Sequence, residues 1–393
     1  MIKRLLIHIG DPKTGTSSIQ AALQAGACHC ASVTIWPQKE LNAVGLGKSL
    51  APKSGNPHDR VAQFSRLARW ARQSDADIGV VSSEFFERVA PQDLRSALEE
   101  FVPELAQDVR ILAYVRPHCG RFVSAYGQRI KTGAFTGPPK QLAKKLIENE
   151  FLSYLPRFKA WEACFGANFT LRPFVRSALF HGDIVEDFFN EVFEGAAFEV
   201  SGSFRINEAL AVEEMAALRH LHVRLIEQSL DRSLRHQVGS AVSDALSGLN
   251  GRFERRLELT ARDASEIVKK FGSDARAMDD HFFGAPVLQE AMQQAAAQAT
   301  SEFPNVKPEV YFSEGRLARI RRAADALSVI LKERPKDWMQ DRLVQEGQFE
   351  DTLATKLVRK LQDKHIAQVW ALVAELAELM LPEETLQDAV QGV

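Results

Sequence analysis

Residues 10 to 18 read Gly-Asp-Pro-Lys-Thr-Gly-Thr-Ser-Ser, a run dense in glycine and hydroxyl groups with one lysine inside it. Residues of these types in this density hold anions. The apolar run Leu5-Leu6-Ile7-His8-Ile9 before it has the length of a buried parallel strand, and Ile19-Gln20-Ala21-Ala22-Leu23 after it continues as a helix. Gly10 and Gly15 let the backbone turn sharply between the two. Amides at the helix start point back into the loop, where they and the positive end of the helix macrodipole make an anion site. A second apolar run, Ile78-Gly79-Val80-Val81, leads into Ser82-Ser83-Glu84. Ligands of parallel α/β sheets lie beyond the carboxyl ends of the strands, so Glu84 is expected at the same edge as Lys13. A third, Val109 to Val115, ends at Arg116-Pro117. A rigid guanidinium fork suits a phosphate dianion.

The loop departs from a Walker A motif in one place. Gly10 and Gly15 occupy the two glycine positions, but Thr16 stands in the slot of the phosphate lysine, and the lysine appears inside the loop as Lys13. Two serines also separate the second strand from Glu84, where a magnesium-holding carboxylate would follow directly. Pro12-Lys13-Thr14-Gly15-Thr16-Ser17-Ser18 after a first strand resembles the 5′-phosphosulfate loop of sulfotransferases that use 3′-phosphoadenosine-5′-phosphosulfate (PAPS). That resemblance implies donor-binding roles for Lys13, Thr14, Gly15, Thr16, Ser17 and Ser18. Ser82-Ser83-Glu84-Phe85-Phe86 looks like the segment of glycan-type sulfotransferases that carries the catalytic base, which implies that role for Glu84. The residue type suits the chemistry, because an attacking hydroxyl must lose its proton and a carboxylate beside two phenylalanines has its pKa pushed up. Arg116 and Ser124 match, in order and spacing, the pair that binds the donor's 3′-phosphate in that family. Arg172-Pro173-Phe174 with the Gly182-Asp183 helix start is similar to bacterial members and is expected to be architectural. The resemblance spans roughly residues 5 to 190 and implies a P-loop-type α/β fold.

The elements that must position these groups follow in order. Ser32 to Pro37 reads as a short edge strand, and the glycines, prolines and lysines from Asn42 to Asp59 as a mobile loop. Val61 to Arg72 has helical spacing with Phe64, Leu67, Ala68 and Ala71 on one face, and Pro91 to Phe101 repeats that pattern. Phe169 to Val175 completes the strands, and Lys131 to Lys140 is a loop. From Asn207 onward only helices are predicted: Glu208 to Leu230, Leu257 to Phe271, Pro286 to Ala299, Gly315 to Leu331 and Thr352 to Met380. The fold class is therefore α/β, a P-loop-type parallel sheet flanked by helices in residues 1–206, with an all-helical extension over 207–393. Val369, Leu372, Val373, Leu376 and Leu379 form an apolar stripe able to pack on the core or on a second copy in a homodimer.

Composition narrows the partners. The 393-residue chain has a net charge of −2, which gives no global pull toward nucleic acid. The four cysteines suit a reducing compartment; Cys28-His29-Cys30 has ligand-type residues but no matching second pair. Asp279-Asp280-His281 reads as a solvated helix end, and no metal is expected. No apolar run reaches membrane-spanning length and the first is too short for a signal sequence, so a cytoplasmic protein is expected.

What the resemblance implies is in-line transfer of a sulfuryl group from PAPS to the hydroxyl of a glycan or small alcohol. Glu84 would take the proton, and Lys13 with the loop amides would stabilise charge on the departing phosphate. An ATP-dependent kinase-like transferase and a non-catalytic nucleotide-binding or assembly module are the alternatives.

Overall fold

The computed structural model describes residues 1–11, 13–38, 43–51, 57–148, 152–204, 209–345 and 353–383. Its strands are β1 (Arg4–Ile9), β2 (Cys28–Cys30), β3 (Ile35–Pro37), β4 (Ile78–Ser83), β5 (Arg110–Val115), β6 (Phe169–Pro173) and β7 (Phe198–Val200). Five of them form one sheet in the order β3-β4-β1-β5-β6, with every pairing parallel. The fold class is α/β, as the alternation of apolar runs and helical patterns predicts. Among the described residues no strand follows Val200.

Two compact units divide the chain. The first comprises Met1–Arg121, Glu150–Ile206 and Glu266–Ala295 and holds every strand. In β1, Ile7 pairs with Val81 on one side and Ile111 on the other, and both faces of the sheet are covered. Leu6, Val80, Leu112 and Tyr114 point to one face, where Ile19, Ala22 and Leu23 of the helix Thr16–Gln24 and Val185, Phe188 and Phe189 of the helix Ile184–Val192 bury them. Double coverage is why these strands read as unbroken apolar runs rather than alternating ones. Gly79 in β4 leaves room on the other face, where a Cβ would lie 2.2 Å from Ile2 Cδ1 and 2.9 Å from a ring carbon of Trp70. Proline at the edge strand β3 costs no ladder bond to an interior neighbour.

The second unit comprises Phe122–Asn149, Asn207–Ser265 and Ala296–Val393. Leu218, Leu221 and Leu225 of the helix Val212–Glu227 and Ile320, Ala324 and Leu327 of the helix Glu314–Glu333 are buried in its interior. Arg224 bridges these two helices with bonds of 2.7 and 3.0 Å to Asp325. The helix Leu353–Glu378 packs on Arg232–Ser247 and Glu314–Glu333, and there Val369, Val373 and Leu376, with Leu379 just beyond the helix, are buried.

Three expectations are corrected. Residues 44–50 of the supposed loop are helical (Val44–Leu50), and a second helix starts at Pro57; residues 52–56 lie outside the described residues. Gly47 lets that first helix sit against the turn after β4, since a Cβ there would meet Phe85 Cβ at 2.5 Å. The helix Arg232–Ser247 was not anticipated, because Gly239 looks like a breaker. The close packing explains the glycine: a Cβ would lie 2.0 Å from Lys131 O and 2.5 Å from His222 Nε2. Cys28-His29-Cys30 forms strand β2, paired antiparallel with β7, and its two cysteines are free thiols. Asp279 is buried rather than solvated. Its carboxylate accepts from Leu288 N at 2.9 Å and Gln289 N at 3.0 Å, capping the helix Val287–Ala297.

Candidate functional site

Three adjacent central strands of the sheet, β4, β1 and β5, end at one edge of the first unit and deliver Glu84, the loop 10–15 and Arg116 respectively. The loop is anchored where Gly10 N donates to Ser83 O at 3.1 Å and Thr14 Oγ1 donates to Asp11 O at 2.6 Å. Lys13 and Gly15 both sit at positive φ, 71° and 85°, which turns the chain into the helix Thr16–Gln24. The earliest bonds of that helix run from Ser18 N and Ile19 N to Gly15 O, so the amides ahead of Ser18 have no acceptor within it. Gly15 offers no side-chain cap and the first turn carries no acidic residue, which leaves the positive helix end for an incoming anion.

Gly10 brings the chemistry together. A Cβ at this position would lie 2.6 Å from Thr16 Oγ1 and 3.3 Å from Glu84 Cγ, so the loop backbone passes between the two side chains with no room to spare. Thr16 Oγ1 is buried and has no hydrogen-bond partner among the described residues. Ser17 is half-buried and Ser18 buried on the same first turn. Glu84 opens the short 3-10 turn Glu84–Arg88, whose start is fixed by Ser83 Oγ accepting from Phe85 N at 3.2 Å. Burial raises the Glu84 carboxyl above its ordinary pKa; Lys13 and Arg121 oppose the rise and Asp11 adds to it. Lys48 holds its ammonium 5.0 Å from the centre of the Phe85 ring, next to Glu84 in the chain.

Arg116 follows β5 and lies over the Phe174 ring, with its guanidinium carbon 4.8 Å from the centroid. Its Nε is buried and unpartnered among the described residues. Burial, with the positive charge of Arg121 adding to it, lowers this guanidinium to about 10. Asp11 acts on it in the opposite direction. Ser124 is half-buried on the helix His118–Lys131, in the part of that helix belonging to the second unit.

Sequence reasoning missed a buried charge cluster under the loop. Arg157 Nη1, from the helix Leu155–Phe165, donates to Asp11 Oδ1 at 3.0 Å and to Glu87 Oε1 at 3.1 Å. Arg121 Nη2 donates to Glu87 Oε1 at 3.0 Å and stands 3.7 Å from Asp11 Oδ1. Side-chain exposures of 5% for Arg121 and 3% for Asp11 leave solvent little part in screening these charges. Burial works to raise Asp11, but Arg157 and Arg121, with hydrogen bonds from Arg157 and Glu87, hold it below the usual carboxylate range. Glu87 goes the other way: burial and then the charge of Asp11 push it up to about 7, against Arg121 and Arg157. An acidic residue inside a phosphate loop was the one available signal. Nothing in the sequence ties Asp11 to an arginine 146 residues away.

No protein-family model and no curated protein matches the chain. Among solved structures, the crystal structure of a sulfotransferase from Alicyclobacillus acidocaldarius aligns over 71% of this chain and 96% of that one, with 13% identity and a TM-score of 0.39. At that score the likeness does not extend to chemistry.

Proposed function

We propose that the chain is a PAPS-dependent sulfotransferase that transfers a sulfuryl group to an acceptor hydroxyl. The observation that carries this reading is the neighbourhood of Gly10, where an uncapped helix start, an unpartnered threonine hydroxyl and a carboxylate of raised pKa converge on one glycine. The residues present suit such a donor: the amides before Ser18, Thr16 Oγ1 and the Lys13 ammonium would hold the 5′-phosphosulfate, with Thr14 and Gly15 shaping the loop and Ser17 and Ser18 extending its hydroxyl lining. Arg116, with a buried donor to spare, would take the 3′-phosphate. When bound, the donor supplies an activated sulfuryl group. Glu84 then accepts the acceptor hydroxyl's proton, and Lys13 with the helix start stabilises negative charge on the leaving phosphate.

Isothermal titration of the full chain with adenosine 3′,5′-bisphosphate and with ATP tests the nucleotide. Tight binding of the first and weak binding of the second is expected; the reverse would favour an ATP-dependent transferase. With sulfur-labelled donor and a panel of hydroxyl acceptors, Glu84→Gln should lower turnover by about 100-fold or more yet still bind the bisphosphate. Full turnover in that variant removes Glu84 from the reaction. Nucleotide binding without transfer to any acceptor would point to a binding module instead.

A further inference from the structure

The charge cluster under the loop joins two segments, the loop itself and the turn after β4. Asp11 belongs to the loop, two residues before Lys13, and Glu87 belongs to the turn that Glu84 opens. One atom, Arg157 Nη1, donates to both carboxylates at 3.0 and 3.1 Å, and Arg121 faces the same two oxygens from a second helix at 3.7 and 3.0 Å. We propose that Arg157 is a positioning residue: with Arg121 it clamps Asp11 to Glu87, and so fixes the distance between the phosphate-holding loop and Glu84. This rests on the sulfotransferase reading for its consequence in turnover, but the clamp itself exists in the protein without ligand.

The argument is one of geometry and charge. The loop is tied to β4 by the main-chain bond from Gly10 N to Ser83 O and braced within itself by Thr14 to Asp11 O. The guanidinium bonds from Arg157 Nη1 to both buried carboxylates tie it in addition to the turn, and removing the guanidinium takes away one of the charge-assisted donors that hold the two carboxyls together. Arg157 itself is held in place by stacking, its guanidinium carbon 4.4 Å from the Phe158 ring centre and 5.7 Å from that of Tyr154. The helix bearing it is anchored at its start, where Asp274 accepts from Tyr154 N at 2.9 Å and Leu155 N at 3.1 Å.

The clamp also has two charge states. The charged groups facing Glu87 are Asp11 from the loop, Arg121 from the helix after β5 and Arg157 from the helix Leu155–Phe165, with Glu84 and Lys13 close by in the same site. With Glu87 protonated the four clamp residues carry one net positive charge, and with Glu87 ionised they carry none. Anion affinity should therefore fall as pH rises through neutrality.

Hydrogen exchange on the unliganded full chain tests the clamp without any turnover. In Arg157→Gln, protection of the amides of residues 10–18 and 84–88 should drop by about tenfold or more, while those of Leu5–Ile7 in β1 and Ile111–Ala113 in β5 keep theirs. Arg157→Lys, which retains one cationic donor, should recover part of the loss. Unchanged protection in the loop and turn, or a uniform loosening of the whole unit, overturns the proposal. Glu87→Gln keeps shape and hydrogen bonding and serves if Arg157→Gln fails to fold. Between pH 6 and 8 the bisphosphate affinity of the parent should fall several-fold relative to that of Glu87→Gln, since ionisation of the phosphates themselves is common to both; a constant ratio also overturns it. If no nucleotide binds at all, the sulfotransferase reading fails, and the exchange measurement still decides the clamp.

Discussion

Lys13 combines a side chain proposed to meet a phosphate with a backbone angle, φ 71°, that favours glycine. For an L-residue this left-handed conformation costs about 1 to 2 kcal/mol. Lys13→Gly should therefore match or exceed the parent in urea stability, whereas Lys13→Ala keeps the strain. The two variants should differ by roughly 1 kcal/mol, and both should lose turnover. Equal stability of the two would show that the loop does not hold this angle in solution. At this scale the sequence was legible where chemistry announces itself in residue type. Lys13, Thr16, Glu84 and Arg116 were named from local pattern together with the family resemblance it carries, and all four lie at the carboxyl edge of the sheet. Glu87, Arg121 and Arg157 were not given their place, because a lone arginine or glutamate looks the same whether it is solvated or clamped.

Helices and strands here are fixed by a few close approaches that tolerate no added atom. Gly15 is one: besides its φ of 85°, a Cβ would lie 2.7 Å from Ile184 Cγ1 at the start of the helix Ile184–Val192. Gly15→Ala should cost more than the ordinary penalty of about 1 kcal/mol for a left-handed alanine, read as a lowered melting temperature. Asp279 gives a separate test, since its buried carboxylate receives two main-chain amides and the side chain of Gln289, the last at 3.2 Å. Asp279→Ala should destabilise the first unit by about 1 to 2 kcal/mol in urea, and Asp279→Asn by less. Equal losses would assign the effect to charge rather than to capping. Element boundaries were legible wherever period and caps agreed, as at Pro91–Phe101. They were lost where tertiary packing overrides local chemistry, as in the glycine-bearing helices Val44–Leu50 and Arg232–Ser247. The three-residue ribbon of β2 and β7 is too short to show a period at all.

On the scale of the whole molecule, burial of ionisable groups sets the dependence of stability on pH. His8 sits in β1 with Nδ1 2.9 Å from Ser82 Oγ, and burial lowers its pKa to about 3. His222, in the second unit, contacts Lys131 O at 3.1 Å and is lowered to about 4, mainly by burial. A histidine kept neutral by the fold contributes fully above its unfolded value near 6.5, and that contribution falls away as pH drops toward the folded value. Each such group lowers unfolding free energy by about 1.4 kcal/mol per pH unit across that window. Glu87 acts oppositely: raised to about 7, it contributes fully below its unfolded value near 4.5 and loses that contribution as pH rises through 7. Between pH 4.5 and 6.5 the urea midpoint of the second unit, where burial lowers both His222 and His220, should therefore rise with pH. In the first unit the raised carboxyls of Glu84, Glu87 and Glu191 oppose His8, and Glu87→Gln should shift the slope of its transition toward a rise with pH. A midpoint of the second unit independent of pH in this range would mean that His222 is not held neutral.

The order of the parallel sheet carries one more consequence, for the making of the chain. β1 lies between β4 and β5, yet it leaves the ribosome before either, and the register contact from His8 to Ser82 spans 74 residues. Until β4 emerges, Leu5-Leu6-Ile7 is an unshielded apolar segment with every main-chain group unpaired, the condition in which nascent strands associate with the wrong partners. Translation of this protein should thus depend on a chaperone that shelters the first strand, and ribosome-stalled chains ending before residue 78 should bind one more strongly than chains released after residue 120.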